Sequence, residues 1–402
     1  MPSVTVSGPG GVLSLPISAG SNTQVAGAIA SAISQGIIGG TLTPETSLNG
    51  LPPALPAGTK GVLFQQTPGL TYLPQGYVAV VDTVAHSTVI GSGAAGESVL
   101  SGTGGFTFIA PKGSGTIFAG GGSNLIETLP TDTGNWFIST GSGNDTIDLL
   151  GKGNDTIQPG GGKNSVYLAG GNNLLELTGS DTIDSAGGHA TIDASGAKST
   201  VVVGGATKID FVGGSGPATL LGGSGSDTFF GGSGDSDVHG GTAGHNLLLA
   251  GTGETTLFGG GSGDMLYAQG QKAQELFAGA GNETLSAALS AGHVTLTGGP
   301  GKDQLIGGLG ADTFVAGTGS ATMTAGLGKD TFEFINSQAG GHDLIADFSS
   351  QDKIDLKGYG PNAVKDALAT QTVAHGSVTI TLPDQTTITF TGVTSLKNSN
   401  FT

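Results

Sequence analysis

Residues 298–333 read GGPGKDQLI GGLGADTFV AGTGSATMT AGLGKDTFE, four consecutive blocks of nine, each opening on a glycine-rich stretch and carrying an apolar residue near its end. That period excludes an amphipathic helix, in which apolar residues return every three or four positions. It excludes collagen as well, because the 78 glycines among 402 residues keep no three-residue period. One tight turn followed by one short strand is the unit that fits.

Aligned on Asp303, Asp312, Ala321 and Asp330, the same shape extends back to Glu97 in about 26 repeats spaced eight to eleven residues apart. The aligned positions include Asn124, Asn135, Asp145, Asp155, Asn164, Asn173, Asp181, Ala190, Ser199, Thr207, Ala218, Asp227, His245, Asp264 and Glu283. Two residues later every repeat is apolar, from Val99 through Phe137, Val201 and Leu247 to Phe332. Strand alternation turns that residue inward and its neighbour, most often threonine, outward. A single repeat cannot bury its one apolar residue, so repeats must stack, and the expected fold is an all-β parallel solenoid.

Thirty acidic residues face 13 lysines, arginine is absent, and the net charge is -17. Such a chain repels nucleic acid and anionic lipid, and its natural partners are cations. With no cysteine there is neither disulfide nor thiolate metal site, and no apolar run approaches a membrane span. Residues 1–20 lack the basic start and continuous apolar core of a cleaved signal peptide.

The block GGLGADTFV resembles the nonapeptide of RTX (repeats-in-toxin, haemolysin-type calcium-binding) proteins: glycine, glycine, any, glycine, any, Asp, any, apolar, any. The resemblance is closest at 222–230, 298–315 and 325–333, with looser copies at 141 and 151. It implies a right-handed parallel β-roll with two blocks per coil and Ca²⁺ between turns stacked on the same side. Glycines allow the tight turn and expose carbonyl oxygens, and aspartate supplies a hard anionic ligand. The candidate ligands are Asp145, Asp155, Asp227, Asp264, Glu283, Asp303, Asp312 and Asp330.

Same-side turns alternate, so a well-furnished site needs acids two repeats apart. Asp312 with Asp330, Glu283 with Asp303, and Asp264 with Glu283 meet that condition. Asp145 lies between Asn124 and Asn164, and Asp155 between Asn135 and Asn173; these columns read as amide ladders that hold turns together without metal. The turns at 190–220 are expected to hold none.

Three parts follow. Residues 1–90 break the period, carry a short helix with Val25, Ile29, Ala32 and Ile33 on one face and a Pro-rich stretch at 48–58, and are expected to cap the first rung or to serve assembly. Residues 91–335 form the solenoid. Residues 336–402 contain Asp343, Asp347, Phe348, Asp352, Ile354, Asp355 and Leu356 at a spacing similar to the C-terminal segment of serralysin-like RTX proteins, followed by a hairpin through Pro383, Asp384 and Gln385. That resemblance implies a C-terminal cap, an uncleaved type I secretion signal and an extracellular destination.

No H-E-x-x-H or G-x-S-x-G occurs, and His239, His245 and His293 read as solvated turn residues. Asp148, Asp184 and Glu333 could serve a polysaccharide-modifying groove, but the register sets no second acid beside them. A threonine column suggests ice binding, which the charged and aromatic neighbouring rank opposes. The reading adopted is a non-enzymatic, Ca²⁺-stabilised building block of an extracellular filament, surface layer or biofilm matrix. It self-associates end to end through its N-terminal segment and C-terminal hairpin, with an adhesin or polysaccharide-binding module as the alternative.

Overall fold

The computed structural model describes residues 2–18, 22–47 and 51–402, so the first three residues of the Pro-rich stretch lie outside it. The chain forms two compact units, residues 1–208 and 209–402. In each, short strands alternate between two parallel ladders, in which a strand within the stack pairs with those one coil before and one coil after it.

The first unit opens with a hairpin, β1 (Ser3–Gly8) and β2 (Gly11–Pro16), and the helix α1 (Thr23–Ile38). The strands β3 (Leu42–Thr46), β4 (Lys60–Gln65), β5 (Gly69–Tyr72), β6 (Tyr77–Asp82), β7 (Ser87–Ile90), β8 (Ala95–Thr103), β9 (Phe106–Ala110) and β10 (Ser114–Gly121) follow. One ladder stacks β3, β4, β6, β8 and β10 and runs on through Trp136–Thr140, Thr156–Gln158 and Asn172–Glu176. The other stacks β5, β7 and β9 and runs on through Leu125–Thr128, Thr146–Leu149 and Lys163–Leu168.

Inward residues form continuous rows. Ile126, Ile147, Val166 and Ile183 are register partners on successive coils, all buried. Each such side chain contributes about 1.5–3 kcal/mol, but only while its neighbours above and below stay in place. All the inward positions expected from the sequence are buried except Phe137, Val201 and Leu247, whose places are taken by Ile138, Val202 and Leu248. In these repeats the turn is one residue longer than the alignment allowed, so the strand slips by one and the next apolar residue enters the core. Near the start of the second unit the slip is two: Phe211 pairs with Phe229, which puts Ile209 rather than Thr207 opposite Asp227.

Parallel pairing starts at Leu42, well before residue 91, because residues 42–90 keep strand alternation without the glycine–aspartate turns that mark the period. The helix is capped by Asn22, whose Oδ1 accepts the Val25 N–H at 3.1 Å, and it buries Ala26, Ile29, Ala30 and Ile33. With Val6, Leu15 and Ile17 of the hairpin segment, it packs on Phe64, Val81, Leu100 and Phe118. These four belong to successive rungs β4, β6, β8 and β10 and face outward. The N-terminal segment therefore covers a lateral face rather than the open edge expected from the sequence, because that face carries a second apolar row that water would otherwise meet.

In the second unit one ladder runs from Thr228–Phe230 through Leu247–Leu249, Met265–Gly270, Thr284–Ser290, Lys302–Ile306 and Ser320–Thr324 to His342–Ile345. The other runs from Ala218–Leu221 through Ser236–His239, Thr255–Phe258, Gln274–Phe277, Val294–Thr297 and Thr313–Val315 to Thr331–Ile335 and Lys353–Lys357. Stacking thus continues past residue 335. The C-terminal hairpin pairs Ser377–Thr381 with Thr387–Phe390, and its second strand lies parallel to His342–Ile345. A short helix, α2 (Ala363–Ala369), precedes it.

Glycines let the turns of adjacent coils touch. A Cβ on Gly301 would lie 1.2 Å from the Gly281 carbonyl oxygen, and one on Gly134 would lie 1.3 Å from that of Gly113. No side chain fits there, whatever the local backbone angles. A Cβ on Gly10, by contrast, would meet nothing within 4 Å. Gly301→Ala is therefore expected to cost about 2 kcal/mol or more, and Gly10→Ala less than about 0.5 kcal/mol, measured by chemical denaturation at fixed Ca²⁺.

Candidate metal centre

The position that opens each strand is tied to its counterpart on the neighbouring coil. In the first unit Asn124 Oδ1 accepts the Phe106 N–H at 3.0 Å, and Asp145 Oδ1 accepts both Asn124 N–H and Asn124 Nδ2 at 2.8 Å. Asn164 Oδ1 accepts the Asp145 N–H at 3.0 Å, and Asn164 Nδ2 donates to Asp181 Oδ1 at 2.7 Å. The second column binds Trp136 N–H to Asp155 Oδ1 at 2.7 Å and Asp155 N–H to Asn173 Oδ1 at 2.9 Å. Trp136 holds the place that the sequence alignment gave to Asn135. Asn135 instead accepts the Asn154 N–H at 2.9 Å in an exposed ladder one residue earlier, which Asn154 continues by accepting from Asn172 at 2.8 Å.

The second unit repeats the arrangement with more acids. Asp227 Oδ1 accepts from Ile209 N–H at 3.0 Å, Asn246 Oδ1 from Asp227 N–H at 2.7 Å, and Asp264 Oδ1 from Asn246 N–H at 2.7 Å. Asn246, not His245, holds the ladder position, and His245 takes a turn conformation at φ 57°. Asp303 Oδ1 accepts the Glu283 N–H at 3.0 Å. In the other column Val294, Asp312 and Asp330 donate their N–H groups to Asp312, Asp330 and Asp352 at 2.9, 2.7 and 3.1 Å. Asp343 likewise extends the first column, accepting from Ala321 at 2.8 Å. Asp343 and Asp352 were missed as ladder members because a 22-residue step replaces the usual 18 there, although their spacing from Ala321 and Asp330 is visible in the sequence.

The carboxylates divide into two kinds. Asp264, Asp303, Asp312 and Asp352 use their second oxygen on the N–H groups of Gly260, Gly299, Gly308 and Ser349, at 2.6–2.7 Å. Asp145, Asp181, Asp330 and Asp343 each bury an Oδ2 that meets no donor, and Glu283 buries two such oxygens. Burial pushes the carboxyls of Asp145 and Asp312 up, those of Asp155, Asp181 and Asp330 to about 6, and that of Asp343 to about 7. Glu283 is raised furthest, to about 8, by burial first and then by Asp303 and Asp264 on the adjacent coils. For Asp330 the neighbouring charges are Asp352, Asp312 and Asp347. Among the described residues none of the five donor-short acids has an ion-pair partner, and no three acidic or histidine side chains converge tightly enough to hold a metal by themselves.

The other candidates fall elsewhere. His239 is not a turn residue: it stands on a strand, stacked on Phe258 at 4.3 Å and 3.4 Å from Asp237, and Phe258 stacks in turn on Phe277 at 4.7 Å. The register does set an acid beside Asp148, namely Glu127 one coil earlier, with Tyr167 and Asp184 on the next two. These stand on an open sheet face. The register likewise sets Asp355 beside Glu333 one coil on, and Glu333 is paired with Lys357 at 2.5 Å.

The RTX calcium-binding nonapeptide repeat model (4 copies) matches residues 149–175, 212–243, 240–271, 277–314 and 306–333. No curated protein matches the chain. The repeats bind Ca²⁺, and the donor set fits that ion: buried carboxylate oxygens without donors, surrounded by glycine turns rich in carbonyl oxygen, are hard ligands in an uncompensated field. Asp330 beside Asp312, and Glu283 between Asp264 and Asp303, would contribute the charged oxygens, with turn carbonyls completing the shell. There a bound ion supplies positive charge in place of the protons that raised carboxyls otherwise retain.

Glu283→Gln or Asp330→Asn is accordingly expected to raise the Ca²⁺ midpoint by about tenfold or more, whereas Asn135→Ala or Asn164→Ala leaves it within about twofold, read by Ca²⁺ titration of β-content. The pH dependence has a definite sign. Carboxyls raised in the fold bind more protons folded than unfolded, so in chelator stability is greatest near pH 4 and falls as pH rises to about 8. Saturating Ca²⁺ should flatten that slope. Denaturation midpoints across this range, with and without Ca²⁺, measure both.

Proposed function

Because this chain is an RTX repeat protein, we propose that it is an exported, non-catalytic structural protein whose solenoid is stabilised by Ca²⁺ outside the cell, serving as a building block of a surface layer, filament or extracellular matrix. The observation that carries this reading is the set of buried, donor-short carboxylates in each unit, Asp145 and Asp181 in the first and Glu283, Asp330 and Asp343 in the second. Extracellular modules with such ligands work at about 10⁻⁴–10⁻³ M Ca²⁺. The fold is then favoured outside the cell, and a chain short of Ca²⁺ stays open enough to be threaded through a type I exporter, the route to which the C-terminal resemblance points.

The build of the ends bears on how such a block associates. The first parallel strand, β3, carries Pro44 and Glu45, residues that discourage edge pairing. At the other end the hairpin strand Thr387–Phe390 is already paired on both sides. The end-to-end route read from the sequence thus has poor strands to work with, and the outer faces become the better means of association. A partner polysaccharide is compatible with the same faces.

The test is fractionation of a culture that makes the protein. Retention in the cell-surface or matrix fraction, with release by a chelator and re-binding when Ca²⁺ is restored, is the expected result. Recovery from the cytoplasm, or free in the medium whatever the Ca²⁺ concentration, would defeat the proposal.

A further inference from the structure

The two ladders of the second unit differ in what they show to solvent. On the ladder that runs from Ser236–His239 to Lys353–Lys357, the outward residues include Asp237, Glu275, Glu333, Lys353 and Asp355. On the ladder from Thr228–Phe230 to Ser320–Thr324, Lys302 is the one charged outward residue among the described positions, and none is a carboxylate. In a chain of net charge -17, six strands of sheet without an outward carboxylate are a marked asymmetry.

This face is also largely apolar. Phe230, Leu249 and Tyr267 are register partners on successive coils, and Met265 and Ile306 lie beside them. At the end of the same strands further leucines are exposed, Leu289 near the end of Thr284–Ser290 and Leu309 and Leu327 in the turns that follow the next two: Leu309 donates its N–H to Ser290 O, and Leu327 donates to Gly308 O. Leu289, Leu309 and Leu327 are 69, 61 and 67% exposed, and Phe230 and Met265 are 40 and 41% exposed. Spread along the coils of this face, they expose of order 500 Å² of apolar surface in all, so that two such faces would bring together roughly 1,000 Å².

The chain covers a comparable face in its first unit. There the outward Phe64, Val81, Leu100 and Phe118 are sealed by α1 and the hairpin, and α1 has no charged residue. Among the described residues of the second unit no element performs this service.

We propose that this carboxylate-free face is sealed by the same face of a second copy, packed sheet against sheet. The occupant follows from charge. Two bodies of net charge -17 repel wherever their acidic faces approach, and on this face they can meet without bringing outward carboxylates together. Parallel sheets are ordinarily covered on both faces, and a two-fold axis through the patch covers both copies at once. This rests on the building-block reading and supplies its contact.

The experiment is sedimentation equilibrium of the full chain in millimolar Ca²⁺, with the Leu309→Glu/Leu327→Glu variant and, as control, Thr295→Glu/Thr313→Glu on the opposite ladder. Both pairs replace outward residues, and the Ca²⁺ response of β-content verifies that each variant folds. The expected result is a reversible dimer whose dissociation constant rises at least about tenfold in the leucine variant and stays unchanged in the control. A wild-type chain that remains monomeric at high concentration, or an association that both variants weaken equally or leave intact, would overturn this face. Chelator-sensitive retention in the matrix fraction would then still stand, because that readout does not require contact between copies.

Discussion

The structure depends on one contact, the approach of a turn to the turn one coil away. Parallel strands set the coils at about 4.8 Å, and at that distance the backbone of one turn lies directly against the next. Nothing larger than hydrogen fits between Gly301 and the Gly281 carbonyl, or between Gly134 and that of Gly113. The glycines therefore mark where backbones touch, and the aspartates and asparagines beside them bind the N–H groups of the neighbouring coil. Remove the close approach and the ladder of Oδ1 acceptors has no donors to reach.

This contact has an electrostatic consequence. An amide ladder costs little, since Asn124, Asn164 and Asn173 satisfy donors without charge. A carboxylate ladder buries anions on successive coils. Where a second glycine N–H is available, as for Asp264, Asp303 and Asp312, the charge is largely satisfied by backbone dipoles. Where it is not, as for Glu283 and Asp330, the fold carries an uncompensated field that only a proton or a cation relieves. The same geometry that holds the coils together thus leaves carboxylate oxygens available to a cation where the ladder lacks donors.

The lateral faces vary more freely than the turns because they touch nothing in the neighbouring coil except other outward side chains. The first unit uses this freedom to seat α1 and the hairpin on Phe64, Val81, Leu100 and Phe118. The second bears an aromatic stack, His239 on Phe258 on Phe277, on its acidic face and leaves its opposite face without an outward carboxylate. The solenoid sets a rigid spacing, and the outer faces adapt it to contacts.

Much of this was written in the sequence. The nine-residue period determines parallel coils, the inward rows from Val99 to Phe332, the columns that stack Asp145 with Asn124 and Asn164, and the pairing of Asp312 with Asp330, because each follows from local turn geometry repeated at a fixed spacing. What the sequence left undecided depended on turn length and on surfaces far apart in the chain. A turn one residue longer moved Ile138, Val202 and Leu248 into the core and put Trp136 and Asn246 in the ladder. The 22-residue steps that bring Asp343 and Asp352 into line, and the seating of α1 on a side face instead of an end, required the packed coils. Period is a local property that a chain displays residue by residue; which carboxylate oxygen finds a donor, and which face is left bare, are settled only when distant segments compete for the same space.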